Sequence, residues 1–199
     1  RRILVRGGPV PTGPAGLFHR EKGRPAMQKV IILGCPGAGK STFARRLHAA
    51  PGLPLFYLDR LWHRPDHTTL PREVFDRALA QILAGDRWIV DGNYLRTLEM
   101  RLQACDTAFF LDYPPELCLE GVKARLGRPR EDMPWAEDCL DSAFRQTILR
   151  FPAEQRPTVL RLLAQAEGKT ILTFHTRDEA GHYLRTLAPP RPDNRKDPV

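Results

Sequence analysis

Eight consecutive residues constrain the fold of this chain more than any other feature. Residues 34–41 read Gly-Cys-Pro-Gly-Ala-Gly-Lys-Ser and match the pattern G-x-x-x-x-G-K-[ST] at each fixed position. Residues 29–33 before them form a short β-branched run typical of a buried strand, and residues 40–50 after them favour a helix. A glycine-rich turn between a strand and a helix is the context in which this pattern binds phosphate.

The residue types in this turn indicate how it would hold a phosphate chain. Glycines let the backbone wrap until several N–H groups point at phosphate oxygens, and the helix N-terminus adds the positive end of its dipole. Lys40 is expected to reach the β- and γ-phosphates and Ser41 to ligate Mg²⁺. Cys35 is expected to fill space, because no partner base indicates a nucleophile. We therefore predict that ATP with Mg²⁺ binds through Gly34, Cys35, Pro36, Gly37, Ala38, Gly39, Lys40, Ser41 and Thr42.

Strand-like and helix-like segments alternate along the rest of the chain. The predicted strands are residues 29–33, 55–58, 88–90, 107–111 and 170–174. The predicted helices cover residues 40–50, 71–84 and 116–126, a segment from about Trp135 through Phe151, a segment with Val159, Leu163 and Ala166, and residues 176–187. Because a β-α alternation gives a parallel sheet with helices on both faces, we predict an α/β, three-layer P-loop NTPase fold with a five-stranded parallel sheet.

The charge of the chain is unevenly placed. The 199 residues contain 31 Lys and Arg against 23 Asp and Glu, a net charge of +8. Residues 1–26 hold six basic residues against Glu21 alone, and residues 188–199 are rich in proline. We predict that both segments are disordered tails, that residues 27–187 form one domain, and that Met27 is a candidate start of translation. Since the basic excess lies mostly in the tails and no helix-turn-helix is apparent, nucleic acid is not the expected partner.

The composition argues against a membrane or secreted protein. No apolar run approaches the ~20 residues that a membrane span needs, and no secretory hydrophobic segment is visible at the start. The four cysteines form no C-x-x-C pair and no zinc-type cluster with histidine. We therefore predict reduced thiols, no membrane association and a cytoplasmic location.

Three aspartates follow predicted strands, where ligands bind in open α/β sheets. Asp91 follows the third strand and is predicted to hold the Mg²⁺ shell or one of its waters. Asp59 follows the second strand and is predicted to orient or deprotonate an acceptor hydroxyl. The alternative for each aspartate is that it caps the following turn. For Asp112, after the fourth strand, that alternative is the preferred interpretation.

Arginines follow the third and fourth predicted strands. Guanidinium groups stabilise the charge that spreads over a migrating phosphoryl group. We predict that Arg96, Arg125 and Arg128 are catalytic together with Lys40, and that residues 125–130, which include Arg130, form a lid over ATP. The alternative is a solvated charged helix end. Between the second strand and the next helix, Trp62, His63 and His67 either line an acceptor pocket or form a packed tryptophan with surface histidines.

These segments resemble a known family. Residues 91–97, Asp-Gly-Asn-Tyr-Leu-Arg-Thr, resemble the D-G-F-P-R-T segment of adenylate kinases, in which the Asp lies near Mg²⁺ and the Arg contacts the transferring phosphate. A narrower group, the small adenylate-kinase-like P-loop proteins often labelled DNA topology modulation proteins, is similar at residues 58–62, 88–94, 110–114 and 128–133. The resemblance covers about residues 29–187. It implies a nucleoside-monophosphate-kinase-like domain with an acceptor region after the second strand and a lid near residues 125–130.

The chain departs from adenylate kinases in ways that bear on the acceptor. Adenylate kinases usually carry G-K-G-T, whereas residues 39–42 read Gly-Lys-Ser-Thr. The AMP-binding segment is not recognisable between Leu55 and Pro71, and the lid is shortened, which argues against AMP as the acceptor. An Asp after the second strand looks more like that of small-metabolite kinases such as shikimate or gluconate kinases, an analogy at the level of the fold.

Three functions from different classes are compatible with the sequence. The first is an ATP-dependent phosphotransferase that moves the γ-phosphoryl group to a small-molecule or nucleotide acceptor. The second is a DNA-associated topology-modulation regulator whose basic tails contact phosphates. The third is a nucleotide-binding switch that hydrolyses ATP slowly without an acceptor. The sequence leaves open the acceptor, the preference for ATP or GTP, and the oligomeric state.

Overall fold

A five-stranded, all-parallel sheet forms the centre of the molecule. The structure is a computed structural model that describes residues 27–50 and 52–187, so the predicted tails at 1–26 and 188–199 lie outside the described residues. The strands are β1 (Lys29–Gly34), β2 (Leu55–Tyr57), β3 (Trp88–Asp91), β4 (Thr107–Leu111) and β5 (Thr170–Phe174). The prediction of an α/β chain with five parallel strands is confirmed.

Eight α-helices connect and cover these strands in the described part of the chain. They are α1 (Lys40–Ala49), α2 (Leu58–Trp62), α3 (Arg72–Leu83), α4 (Leu98–Ala104), α5 (Pro115–Lys123), α6 (Ser142–Glu154), α7 (Arg156–Ala164) and α8 (Arg177–Leu187). A 3₁₀ turn, Leu95–Thr97, leads into α4.

The prediction was wrong in three places. Leu58 begins α2 instead of ending β2, so Asp59 lies in the first turn of a short helix. Helix α6 begins at Ser142 and not near Trp135, because the Asp141 side chain accepts a hydrogen bond from the Phe144 N–H at 2.8 Å and caps the helix there. Helix α4 was missed altogether; its seven residues are too few to display a clear helical period.

The strand order explains the unbroken apolar sequence of β1. The sheet runs β2-β3-β1-β4-β5, so β1 is central and pairs with β3 on one side and β4 on the other. Ile31 lies opposite Val90 in β3 and opposite Ala108 in β4. A parallel strand in this position is buried on both faces, which requires apolar residues at successive positions.

The connections place helices on both faces of the sheet. Helix α1 contacts α8, and α4 contacts α7. Because parallel crossovers are right-handed, the chain leaves β1 on one face and leaves β3 and β4 on the other. This reversal opens a crevice beyond the carboxyl end of β1, where open α/β sheets bind ligands.

Aromatic packing fixes the helix that follows this crevice. The Phe43 ring of α1 lies 5.0 Å from the Phe109 ring of β4 and 5.9 Å from Phe174 of β5. Phe43 and Phe109 are buried, as are Ala44 and Leu47 on the same helix. This packing holds the N-terminus of α1 at the carboxyl ends of the strands.

Candidate functional site

A cleft of about 1450 Å³ opens at the carboxyl ends of the strands. Of the glycine-rich turn (residues 34–42), residues 36–42 line one side of the cleft together with the start of α1, whereas Gly34 and Cys35 do not. The loop after β3 and Asp59 of α2 line another. A segment with little regular structure, residues 125–141, lies across it and is called the bridging segment below. A hydrogen bond from the Gly127 N–H to the Glu137 carbonyl, 2.8 Å long, closes this segment into a loop.

Two glycines give the turn a shape that other residues could not adopt. Gly37 has φ of 84° and Gly39 has φ of 88°, both in the left-handed region. A Cβ on Gly37 would lie 2.1 Å from the Cys118 carbonyl oxygen in α5. The backbone of the turn is therefore pressed directly against the backbone of α5, and only glycine fits at position 37.

The turn ends in an uncapped helix N-terminus. Gly39 is the N-cap of α1, and within the described residues neither a side-chain cap nor an acidic residue occupies its first turn. The Phe43 N–H bonds to the Gly39 carbonyl at 2.9 Å, whereas the N–H groups before it lack partners within a helix by geometry. The Lys40 ammonium bonds back to the Cys35 carbonyl at 3.1 Å. Unpaired donors, a helix dipole and a cation thus converge where an anion would bind.

Cys35 sits inside this turn as a packing residue. Its thiol is buried and faces the Ile148 carbonyl at 3.8 Å. A hydrogen bond with Cys118, together with burial, raises the pKa of the Cys35 thiol far above its ordinary value. A thiol that stays protonated at neutral pH is a poor nucleophile.

Two carboxylates face the Ser41 hydroxyl. Ser41 Oγ donates to Asp132 Oδ2 at 2.9 Å, and Asp91 at the end of β3 lies beside the same hydroxyl. Asp91 is only 4% exposed, and no described group bonds to its Oδ1. Burial raises the pKa of Asp91 to about 6, although Lys40 and Ser41 oppose the rise. Burial also disfavours ionisation of Asp132, but Arg130 and Ser41 outweigh it and lower the pKa of that carboxyl.

These oxygens fit the predicted Mg²⁺. In nucleotide sites Mg²⁺ is usually bound by one or two carboxylates together with substrate phosphates, and not by a cage of protein ligands alone. Ser41 and the unpartnered oxygen of Asp91 provide such a partial set beside the turn. Among the residues that the structure describes, no group of three Asp, Glu, His or Cys side chains could hold a metal by itself. The metal would therefore be completed by the phosphates of a ligand.

Two arginines of the bridging segment face the cleft. Arg125 lies 3.0 Å from Glu137, and Arg130 lies 2.7 Å from the same carboxylate and also pairs with Asp132. Burial and the neighbouring charge of Arg130 lower the pKa of Arg125. Two guanidinium groups are thus held side by side by one shared carboxylate, Glu137.

The structure does not bring the other two predicted arginines to the cleft. Arg96 makes a bidentate ion pair with Asp76 of α3, at 2.7 and 2.8 Å, with both side chains at least 40% exposed. The 3₁₀ turn directs its side chain over the Phe75 ring, 6.0 Å from the centroid. Arg128 is exposed and lies outside the residues that line the cleft. Of the predicted catalytic residues, Lys40, Asp59 and Arg125 therefore come together.

Asp112 belongs to a separate ion pair. Arg156 of α7 contacts it with two hydrogen bonds, at 2.7 and 2.8 Å, and His175 lies 3.7 Å away. Asp112 thus joins the end of β4 to α7, which is a structural role, although by an ion pair instead of the expected turn cap.

The far end of the cleft carries a second polar group. Tyr94 donates its hydroxyl to Asp59 Oδ1 at 2.8 Å, and burial and the charge of Asp59 raise the Tyr94 pKa. Asn93 donates to Gln155 at 2.9 Å, while no described group bonds to its buried Oδ1. Asp59 and Asn93 therefore present oxygen atoms that could accept a hydrogen bond from a hydroxyl or an amine.

A buried arginine that no sequence pattern singled out supports the loop after β3. Arg101 of α4 is fully buried and donates to the Gly92 and Tyr94 carbonyls, each at 2.8 Å. Burial lowers the pKa of Arg101 to about 10. Because α4 was not predicted, the inward position of Arg101 could not be inferred. Asp132 was also missed: it lies in residues 128–133, which carry the family resemblance, but that resemblance assigned no role to it.

The aromatic residues near Asp59 divide between packing and the cleft. Trp62 packs edge-on against Phe75, with ring centroids 5.3 Å apart, and so belongs to the core. His63 lines the cleft and meets Trp135 of the bridging segment at 5.2 Å, and His67 lies 4.3 Å from the same ring.

Comparison of the chain with models of protein families and with curated proteins finds no match. None of the helices in residues 27–50 and 52–187 has the length and apolar character that a membrane crossing requires.

Proposed function

We propose that this protein is an ATP-dependent phosphotransferase of the adenylate-kinase-like P-loop class, which transfers the γ-phosphoryl group of MgATP to a small hydroxylated acceptor. One observation carries the proposal. The glycine-rich turn presents the uncapped N-terminus of α1 and the Lys40 ammonium to a cleft whose opposite wall holds Arg125 and Arg130. A cleft in which a helix N-terminus, a lysine and two arginines converge suits a triphosphate.

The nucleotide's phosphate chain would lie on residues 34–42. Ser41 and Asp91 would hold Mg²⁺, which neutralises charge on the β- and γ-phosphate oxygens when bound. Lys40 would stabilise the γ-phosphoryl oxygens from the turn, and Arg125 and Arg130 would do so from the bridging segment. Each of these side chains lines the same cleft, so no large rearrangement is needed to bring them to one ligand.

The acceptor would lie at the Asp59 end of the cleft. The acceptor oxygen attacks the γ-phosphorus, the bond to the β,γ-bridging oxygen breaks, and the acceptor's proton passes to the Asp59 carboxylate, leaving ADP. Tyr94 holds that carboxylate in place by its hydrogen bond. Arg96 and Arg101, the first two arginines after β3, are committed to Asp76 and to backbone carbonyls. This favours an acceptor without a phosphate group over AMP.

The test is ADP formation from ATP in the presence of pooled metabolites. We expect turnover that a fraction of the pool stimulates, and that Lys40→Ala abolishes. Arg125→Ala and Arg128→Ala form a matched pair, because both arginines belong to the bridging segment but only Arg125 lines the cleft. We expect the first to lower turnover about a hundredfold and the second to leave it within a factor of three.

Two results would contradict the proposal. Absence of any Lys40-dependent turnover would remove the phosphotransferase. A slow ATPase rate that no metabolite changes would favour the nucleotide-binding switch instead, and would leave Asp59 without the role given to it here.

A further inference from the structure

The bridging segment places a carboxylate on the hydroxyl that the glycine-rich turn presents. Asp132 accepts a hydrogen bond from Ser41 Oγ at 2.9 Å, although the two residues are 91 positions apart in the chain. The Asp132 side chain is 6% exposed. A buried carboxylate of this kind is costly unless it is fully paired.

Both oxygens of Asp132 are already occupied. Oδ1 accepts from Arg130 Nε at 3.2 Å, and Oδ2 accepts from Ser41 and from a second nitrogen of Arg130. Asp91, which also interacts with Ser41, is buried and keeps Oδ1 without a partner among the described residues. The two carboxylates are therefore different: Asp91 has an oxygen with no hydrogen bond to offer a metal or its water, whereas each oxygen of Asp132 already accepts at least one.

We infer that Asp132 is a positioning residue for the metal of the MgATP site, a role that rests on the proposed function. A serine hydroxyl has one hydrogen and two lone pairs. By accepting that hydrogen, Asp132 turns the lone pairs of Ser41 toward the metal and makes the oxygen a better ligand, as outer-sphere carboxylates do in metal sites. Asp91 acts directly on the metal or its water.

The same carboxylate links the metal to the arginines. Arg130 holds Asp132 and also pairs with Glu137, which in turn holds Arg125. Through Ser41, Asp132 and Arg130, the position of the bridging segment is therefore linked to the position of the hydroxyl that would bind the metal. A competing interpretation is that Asp132 merely anchors the segment through Arg130.

Glu137 separates these two interpretations. It pairs with Arg130 as Asp132 does, but its side-chain partners within the described residues are arginines, and none of its hydrogen bonds or ion pairs there involves Ser41. Asp132→Asn and Glu137→Gln therefore each remove one negative partner of Arg130, while only Asp132→Asn changes the acceptor of the Ser41 hydrogen.

The experiment is calorimetric titration of the full chain with ATP, once in EDTA and once in saturating Mg²⁺. The ratio of the two affinities measures how much the metal contributes, and each variant serves as its own reference. For Asp132→Asn we expect the ratio to fall about tenfold, with binding in EDTA unchanged or tighter. For Glu137→Gln we expect the ratio of affinities to equal that of the parent chain. A second measurement uses Mn²⁺ and the complex of the protein with ADP. The decrease of the free-Mn²⁺ signal in electron paramagnetic resonance reports how tightly the complex binds Mn²⁺. We expect Asp132→Asn to weaken this binding and Glu137→Gln to leave it unchanged.

If Asp132 acts through Ser41, the effects of substituting these two residues on the ratio of affinities should not add. In a chain with Ser41→Ala, adding Asp132→Asn should not lower the ratio further, because the hydroxyl through which it acts is gone. If Asp132→Asn does not fold, Asp132→Glu replaces it, since the longer side chain displaces the carboxylate from Ser41.

The outcomes distinguish the two levels of the hypothesis. An Asp132→Asn ratio equal to that of the parent chain, or an equal fall in Glu137→Gln, overturns the positioning role and leaves nucleotide binding intact. A parent chain that binds ATP neither in EDTA nor in Mg²⁺ overturns the proposed function itself.

Discussion

The glycine-rich turn and the bridging segment face each other across the cleft, but different interactions hold them. The turn is fixed by backbone packing: Gly37 lies against the Cys118 carbonyl and Gly121 lies against the Gly37 carbonyl, with no room for a Cβ at either position. The bridging segment is held by side chains: the ion pairs of Arg125 and Arg130 with Glu137 tie the segment to itself, and Asp132 joins it to the turn through Ser41.

This difference indicates a division of labour. Close packing in the interior resists displacement, because any shift creates voids or clashes. An ion pair that keeps some solvent exposure, as Arg125 with Glu137 does, contributes modestly to stability and can exchange partners. The shape of the turn is therefore set before any ligand binds, whereas side chains of the bridging segment can change partners.

The largest expected effect is on the packing of the turn. Gly37→Ala would place a methyl group 2.1 Å from a backbone oxygen at a φ of 84°. Strain and overpacking together should lower the free energy of unfolding by about 4 kcal/mol. Gly127→Ala in the bridging segment is the matched control, because its φ is 69° and its Cβ would meet nothing within 4 Å. It should cost only about 1 kcal/mol.

Urea denaturation of the two variants checks this prediction. Equal losses of stability in Gly37→Ala and Gly127→Ala would mean that the turn is no more tightly packed than the bridging segment.

The second effect concerns the charge in the turn. Lys40→Ala should weaken MgATP binding about a hundredfold, roughly 3 kcal/mol, because it removes a charged hydrogen bond to phosphate. Its thermal unfolding should change little, since the ammonium contacts only the Cys35 carbonyl among the described hydrogen bonds. Lys123→Ala, at the exposed end of α5, is the control for charge alone. Calorimetry decides; similar affinities in both variants would count against the assigned phosphate site.

The third prediction compares Asp91, at the end of β3 beside the turn, with Asp132 of the bridging segment. Asp91 has a pKa of about 6, above its ordinary 3.8, so the folded state binds more protons than the unfolded state between these values. Its contribution to stability is therefore full below pH 4 and falls, by about 3 kcal/mol, as the pH rises through 6. In EDTA, Asp91→Asn should become more stable relative to the parent chain over this range.

Asp132 should behave in the opposite way. Its pKa is lowered, so its stabilising effect is present above pH 4 and is lost as the pH falls through the folded-state value. Asp132→Asn should therefore cost more at pH 7 than in acid. Denaturation series from pH 7 down to about pH 2 cover both windows, since that of Asp132 lies below its ordinary pKa of 3.8. Parallel curves for the two variants would show that these carboxylates share one environment.

The smallest effect is expected outside both regions. Arg96→Ala breaks an exposed ion pair with Asp76, which should cost less than about 1 kcal/mol of stability. Because Arg96 lies outside the cleft lining, nucleotide affinity should stay within a factor of two. A loss of tenfold or more in calorimetry would indicate that the loop after β3 swings Arg96 into the cleft when nucleotide binds.

Features that depend on neighbouring residues in the chain could be predicted from the sequence, whereas contacts between distant residues could not. The turn, the strand before it and the final strand were predicted to within a residue, because apolar runs and glycines report the backbone directly. The capping of α8 by Thr176 was also predictable: its hydroxyl accepts from the Glu179 N–H at 3.2 Å. Arg96 and Arg125 both follow a strand in sequence. Only the structure shows that Arg96 pairs with Asp76 away from the cleft, whereas Arg125 pairs with Glu137 in its lining.

The sequence by itself determined the alternating α/β architecture and the glycine-rich turn between β1 and α1, because each depends on residues that are neighbours in the chain. Only the tertiary structure decided which charges share the cleft. Ser41 and Asp132, or Asp59 and Tyr94, meet because strand order and helix packing bring distant segments together. The energy of such pairs depends on burial and partners that folding creates, so no local pattern encodes them.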